Sequence, residues 1–83
     1  MSFNIGDRVI CTTRVDGYYN TENISGTVVT LDERAYGVVF DVNVSGHSLD
    51  GRCPYGYGLW ARSEDLSPLS HNKKASEREY ISI

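Results

Sequence analysis

Short runs of β-branched and apolar residues, separated by glycine-containing turns, recur along this chain. Residues 5–13, 25–32 and 35–42 are such runs, and residues 58–61 and 67–69 are shorter ones. Residues that branch at Cβ favour extended backbone, and no run shows the 3.6-residue apolar period of an amphipathic helix. Because the chain has only 83 residues, it has room for one small domain. The sequence therefore predicts a single all-β domain of five short strands.

Two long segments between the predicted strands lack any apolar period. The first loop, residues 14–23, contains an Asp16-Gly17 turn and two adjacent tyrosines. The second loop, residues 43–58, holds four of the eight glycines. Loops this long in so small a domain are usually functional or disordered, and the aromatic and cysteine content of the second loop favours order. A single 3₁₀ turn capped by Ser63 is predicted before the last strand.

The composition changes at Ser70. Residues 70–83 are polar and charged until the closing Tyr80-Ile81-Ser82-Ile83. A segment of this length is too short to form a stable helix without a docking partner. We therefore predict a barrel over residues 1–69 and a flexible tail or short docking helix over residues 70–83.

The order of these parts resembles that of the SH3-like barrel. Ile5-Gly6-Asp7-Arg8-Val9 is similar to the opening of many SH3-like and KOW-like barrels, and Gly26-Thr27-Val28 is similar to their second strand. The resemblance covers residues 5–69. It implies an all-β fold, a small five-stranded SH3-like barrel with two long loops, to which the composition adds a flexible C-terminal tail.

Residues 36–41, 46–51 and 58–66 remotely resemble CAP-Gly domains, which bind acidic, aromatic peptide tails through a Gly-Lys-Asn-Asp-Gly loop. Here that loop reads Gly-His-Ser-Leu-Asp-Gly, so His47 and Ser48 replace Lys and Asn, and Leu49 is inserted. The chain looks closer to small SH3-like proteins of phages and prophages, which carry a Gly-His…Asp-Gly-Arg-Cys…Gly-x-Gly-x-Trp stretch. The resemblance implies the fold more specifically than the function.

The candidate binding surface is formed by the two long loops, which the SH3-like resemblance places on one side of the barrel, framing a groove. Four of the six tyrosines lie in these loops. Tyrosine and arginine are enriched at binding hot spots because they combine large contact area with directional polar groups. Trp60 follows the second loop and is expected to line the groove floor. The expected binding residues are Arg14, Tyr18, Tyr19, His47, Arg52, Tyr55, Tyr57 and Trp60.

Some of these aromatic residues have a structural alternative. Small barrels lack apolar volume, so Tyr36, Tyr55 and Trp60 are equally well explained as additions to the core. Tyr18 and Tyr19 are expected to be exposed, because they lie beside a polar turn. A single histidine such as His47 is expected to make a structural hydrogen bond.

Charge and motif content argue against several function classes. The net charge of −3 argues against binding to duplex DNA, which requires lysine and arginine against phosphates. Cys11, Cys53, His47 and His71 lack the spacing of a zinc site, and we expect the cysteines to be reduced thiols. No common catalytic motif is present. We predict no enzyme activity, no catalytic residues, no metal and no cofactor.

Membrane association and export are also not expected. No apolar run approaches the roughly 18 residues of a membrane-spanning helix. Residues 1–8 lack the basic stretch and apolar core of a signal peptide. The expected compartment is the cytoplasm.

Three functions agree with these observations. The first is a non-enzymatic protein-binding module of the phage type that modulates a host protein through its Tyr/Arg-rich loops. The second is a nucleotide or nucleic-acid binder, including one that sequesters a small nucleotide with Arg14 and Arg52. The third is a structural or assembly protein of a virion, which would use edge strands and the tail. The sequence identifies neither the partner nor the oligomeric state.

Overall fold

The part of the chain that the structure describes contains five short strands and two turns of 3₁₀ helix, which loops connect. A computed structural model describes residues 2–69. The strands are β1 (Arg8–Cys11), β2 (Ile24–Leu31), β3 (Tyr36–Phe40), β4 (Gly58–Ala61) and β5 (Leu66–Pro68). The 3₁₀ turns span Val15–Gly17 and Ser63–Asp65. The all-β prediction is confirmed.

The five strands form one antiparallel sheet in the order β4-β3-β2-β1-β5. The long β2 is central, because residues 24–27 pair with β1 and residues 26–31 pair with β3. On the other side of β1, Cys11 pairs with Leu66 of β5. The β2–β3 register shifts between residues 28 and 30, and an irregularity of this kind bends a strand. The architecture agrees with the SH3-like fold that the sequence resemblance implied.

The inner face of the sheet follows the two-residue alternation that the sequence predicts. Val9 and Cys11 are fully buried on β1, and Val38 and Phe40 are buried on β3. Val42 continues the same alternation but is exposed, because β3 ends at Phe40 instead of continuing to residue 42 as predicted. Burial of apolar side chains on this face is the main stabilising contribution to the domain.

A turn around Gly6 opens the first run, as its Gly-Asp pair predicts, and β1 follows it from Arg8. The Asp7 N–H donates to the Asn4 carbonyl (3.0 Å), and the Asn4 N–H donates to the Asp7 carboxylate (2.8 Å). These two hydrogen bonds close a tight turn around Gly6, whose φ of +96° lies in the left-handed region that favours glycine. Ile5 therefore lies in a turn and is exposed.

The first loop, residues 12–23 as observed, is anchored by Thr21. The Thr21 hydroxyl donates to the Thr13 carbonyl (2.7 Å) and accepts from the Val15 N–H (3.0 Å). Thr21 and Val15 are both buried, and Tyr19 packs against the core. The two hydrogen bonds of Thr21 hold the first loop against the sheet. They also give partners to backbone groups whose burial without a hydrogen bond would destabilise the fold.

The second loop, residues 41–57 as observed, folds back onto β4. His47 and Gly58 exchange two backbone hydrogen bonds of 2.8 Å. Leu49 is fully buried, and a Cβ on Gly58 would lie only 2.7 Å from the Leu49 Cγ. The close approach of this loop to β4 therefore requires glycine at position 58, and the loop has a defined conformation, as its composition predicted.

The described range ends at residue 69, so the predicted tail, residues 70–83, lies outside it. The division into a barrel and a tail therefore stays a prediction. Within residues 2–69, no helix has the length and apolar character that crossing a bilayer requires.

An ion pair joins β1 to the start of the second loop. The Arg8 guanidinium donates to both carboxylate oxygens of Asp41, at 2.9 and 2.6 Å, and also to the Thr27 hydroxyl at 3.0 Å. The hydrogen bond from Arg8 lowers the pKa of Asp41, and the same bond raises the pKa of Arg8. Both side chains are about half exposed, so solvent screening keeps the contribution small, about 0.2–1 kcal/mol.

Removing the Asp41 charge should reduce stability at neutral pH and have less effect in acid. Because folding lowers the pKa of Asp41 below its ordinary value of 3.8, the ion pair stabilises the folded chain above that pH and is lost as the pH falls further. Asp41→Asn should therefore lower the free energy of unfolding by about 0.2–1 kcal/mol at pH 7, and the difference from wild type should shrink below about pH 4. Urea denaturation at several pH values measures this.

Glu22→Gln is the matched control, because Glu22 is exposed and makes no side-chain hydrogen bond or salt bridge within residues 2–69. A destabilisation by Asp41→Asn that stays constant down to pH 2 would contradict the electrostatic explanation.

Candidate functional site

A groove of about 460 Å³ lies between the first loop, the β2–β3 turn and the second 3₁₀ turn. Its floor includes Trp60, the single tryptophan of the chain. Its walls come from segments that are far apart in sequence but close in the sheet. The lining residues are Thr13, Arg14, Val15, Asp16, Gly17, Arg34, Ala35, Trp60, Arg62, Glu64 and Asp65.

The position of Trp60 follows from the pairing of β3 with β4. In this register Trp60 lies directly opposite Gly37. A Cβ at Gly37 would lie 3.2 Å from the Trp60 Cζ3 and would clash with the Thr30 Cγ2. The indole therefore covers a strand position without a side chain, an arrangement in which an aromatic ring shields the exposed backbone of a glycine. This packing leaves Trp60 half-buried, with part of the ring lining the groove.

Asp65 fixes the second 3₁₀ turn against the first loop. One carboxylate oxygen accepts from the Thr13 hydroxyl (2.8 Å), and the other accepts from the Arg62 N–H (3.1 Å). The Asp65 carbonyl also accepts from the Thr12 N–H (2.8 Å). The predicted cap, Ser63, is wrong, because Ser63 is the first residue of the turn and Arg62 occupies the N-cap position. The Arg62 N–H is satisfied by the Asp65 carboxylate at the end of the turn.

The groove has three guanidinium groups, from Arg14, Arg34 and Arg62, and three carboxylates, from Asp16, Glu64 and Asp65. Within residues 2–69, the salt bridges are Arg8–Asp41 and Arg52–Asp50, and neither is in the groove. The six groove charges are therefore not paired with one another. Asp65 is already engaged by the Thr13 hydroxyl and the Arg62 N–H, and the other five charges are available to form ion pairs with a ligand.

The structure brings two of the expected binding residues, Arg14 and Trp60, together in this groove. Tyr18 is 73% exposed, as expected, and its ring meets Tyr19 edge to face at 5.0 Å. Tyr19 is only half exposed and packs against the core, because the loop turns it inward. The expectation of exposure is therefore confirmed for Tyr18 and wrong for Tyr19.

The second loop does not contribute lining residues to this groove. The His47 Nδ1 accepts from the Leu49 N–H (3.0 Å), which is the structural hydrogen bond expected of this residue. The Arg52 guanidinium donates to the Leu49 carbonyl (2.9 Å) and so braces its own loop. Tyr55 is 78% exposed and Tyr57 is half-buried. The groove observed thus joins the first loop to the β2–β3 turn, where a groove between the two long loops was expected.

The alternatives left open for the aromatic residues are resolved differently at each position. Tyr36 belongs to the core side, since it packs against the core cluster and meets Phe3 edge to face at 5.3 Å. Tyr55 does not pack into the core. Trp60 serves both purposes, because one part of its ring covers Gly37 while another part lines the groove.

Sequence reasoning missed Arg34, Arg62 and Asp65. The expected binding residues lie in or directly after the long loops, whereas Arg34 lies in the short β2–β3 turn and Arg62 follows β4 directly. The available signal was that Arg62 is two residues from Trp60 and that a hairpin turn exposes its side chains. Only the three-dimensional sheet shows that these residues line the same groove as Arg14.

The described residues offer little for metal or thiol chemistry. No group of three His, Cys, Asp or Glu side chains within residues 2–69 could hold a metal ion. Cys11 and Cys53 are free thiols. Burial raises the pKa of the Cys53 thiol. The thiol donates to the His47 backbone carbonyl, with 3.8 Å between Sγ and O, and this bond does not involve the His47 ring. A raised pKa disfavours the thiolate that nucleophilic chemistry requires.

A family model described as the Xrn1 SH3-like domain matches residues 1–67. The matched range contains every residue that lines the groove. No curated protein and no solved structure matches the chain.

A side chain at position 37 should displace Trp60. Gly37→Ala places a Cβ 3.2 Å from the Trp60 Cζ3 and closer still to the Thr30 Cγ2, so both side chains should shift and the indole should become more accessible to water. We expect a red shift of tryptophan emission, stronger quenching by acrylamide, and a loss of about 1–3 kcal/mol in the free energy of unfolding.

Gly51→Ala is the matched control, because position 51 has open space around it but a φ of +88° that strains alanine. This control should lose stability without changing the emission. Unchanged emission in folded Gly37→Ala would contradict the proposed seating of Trp60.

Proposed function

The chain belongs to the Xrn1 SH3-like domain family, and on that premise we propose that it is a non-enzymatic module that binds another protein through the groove beside Trp60. The carrying observation is the convergence of three arginines around a half-buried tryptophan. Tryptophan and arginine are the residues most enriched among those that dominate interface binding energy.

The arginine distribution supports a binding role for this groove. Residues 2–69 contain five arginines. Arg8 pairs with Asp41, and Arg52 braces the second loop. The other three line the groove, where no salt bridge joins them to its carboxylates. A partner can therefore form ion pairs there without first breaking existing ones, and this lowers the reorganisation cost of binding.

The carboxylates of the groove favour a protein over a nucleic acid. Asp16, Glu64 and Asp65 balance the three arginines formally, and the whole chain carries a net charge of −3. A phosphate backbone needs an excess of positive charge, because its binding depends on releasing condensed counterions. A protein segment can instead present both signs of charge.

We take the partner to be a host protein whose activity this binding alters. The resemblance of residues 5–69 to small phage and prophage proteins supports that choice. Tyr18, exposed in the loop that carries Arg14, extends the proposed surface beyond the groove. The exposed Tyr55 and the neighbouring Arg52 remain a second, separate contact candidate.

A small nucleotide is the second candidate ligand. The Trp60 ring beside Arg14 and Arg62 could stack a base and hold a phosphate, as single-stranded nucleic-acid binders do. Of the pair expected to hold a nucleotide, Arg14 lines this groove and Arg52 does not, since its guanidinium donates to the Leu49 carbonyl.

Affinity capture from host lysate tests the proposal. The immobilised full chain should retain a prey protein that Arg14→Ala/Arg62→Ala loses, because both guanidiniums line the groove. Arg52→Ala is the control for the second loop and should retain the prey. The purified prey should then change the Trp60 emission of the full chain in a titration, with an affinity about tenfold or more weaker for the double variant.

Two results would contradict this function. One is loss of the prey by Arg52→Ala but not by the double variant, which would place binding on the second loop. The other is tighter binding of a mononucleotide than of the prey, measured by the change in Trp60 emission. That result would favour the nucleotide candidate.

A further inference from the structure

A second groove of about 300 Å³ adjoins the first. The two share Arg34, Ala35 and Glu64 as lining residues, so the β2–β3 turn and the second 3₁₀ turn border both. The second groove is lined by Ser2, Phe3, Leu31, Asp32, Glu33, Arg34, Ala35, Tyr36, Ser63 and Glu64. The shared residues place the two grooves side by side, so an extended ligand can contact both.

The second groove differs from the first in charge. Asp32, Glu33 and Glu64 contribute three negative charges and Arg34 contributes one positive charge, so its formal charge is −2. The first groove has three charges of each sign. Salt bridges within residues 2–69 involve none of these carboxylates. The second groove therefore favours a cationic ligand group, whereas the arginines around Trp60 remain available to an anionic one.

The second groove also offers apolar contact. Leu31 is 48% exposed at its edge. Phe3 and Tyr36 pack edge to face in its wall, and the Phe3 N–H donates to the Tyr36 hydroxyl at 3.4 Å. These contacts fix the N-terminal segment against β3. A flexible aliphatic stem with a charged end, such as that of lysine or arginine, fits a site that combines apolar wall and carboxylates.

We propose that the two grooves form one continuous track for an extended peptide segment of mixed charge. The partner would place a lysine or arginine among the carboxylates of Asp32, Glu33 and Glu64. It would place an aspartate or glutamate against Arg14 and Arg62, beside Trp60. This inference rests on the proposed protein-binding function and adds the charge order of the bound segment.

The charge order also explains why a polyanion is a poor occupant of the whole track. A nucleic-acid strand has the same sign of charge along its length, so it would meet the carboxylates of the second groove after passing the arginines of the first. Like charges brought together at an interface suppress binding of the wrong partner. A peptide with both signs avoids this repulsion.

Selection from a displayed library of random dodecapeptides on the full chain tests the inference. Enriched peptides should carry a basic and an acidic residue separated along the sequence. Glu33→Lys should weaken the best synthetic peptide about tenfold in a Trp60 fluorescence titration, because it replaces an attraction with a repulsion. Glu22→Lys, an equal charge change outside both grooves, should leave the affinity unchanged. Replacing the basic residue of the peptide with alanine should remove the difference between Glu33→Lys and wild type.

The outcomes separate this inference from the proposed function. Peptides that require Arg14 and Arg62 but bind Glu33→Lys as well as wild type would overturn the mixed-charge track and keep protein binding at the groove. Enrichment of purely acidic peptides would also overturn the mixed-charge track and keep protein binding at the groove. No enriched peptide, or binding of oligodeoxythymidylate that competes with every selected peptide, would overturn both.

Discussion

The groove depends above all on the pairing of β3 with β4, which sets Trp60 opposite Gly37. The absence of a side chain at position 37 lets the indole lie over the strand and still face outward. Asp65 then holds the second 3₁₀ turn against the first loop through the Thr13 hydroxyl and the Arg62 N–H. A binding surface supported in this way by strands and a bonded turn is more rigid than one built on loops alone.

Rigidity and unpaired charge together make this groove suitable for recognition. The Arg8–Asp41 ion pair is satisfied within the fold and serves to join β1 to the second loop. Arg14, Arg34 and Arg62 have no such partner within residues 2–69. The Arg8–Asp41 pair therefore stabilises the fold, whereas the three arginines of the groove are available to a ligand. Fixed geometry reduces the entropy lost on binding, which raises the affinity obtained from a few contacts.

The sequence predicted the strands well because strand formation here is mostly local. The alternation of Val9 and Cys11, and that of Val38 and Phe40, follows directly from the two-residue period of extended backbone. The site was only partly predictable, because groove formation depends on sheet curvature and loop direction. Arg14 and Trp60 were identified, but Tyr19 turns inward and the second loop folds onto β4. Nothing local in the sequence shows that Arg34 and Arg14 line the same groove.

The most direct test is a chemical-shift map of the ¹⁵N-labelled full chain on addition of the purified partner segment. If the partner binds the groove beside Trp60, the largest amide shifts should fall in residues 13–17, 34–35 and 60–65, together with the Trp60 indole N–H. The shifts should continue into residues 31–33 when the segment carries both charges. If the largest shifts are confined to residues 43–57 and the Trp60 indole signal does not move, binding at the groove is contradicted and recognition lies on the second loop.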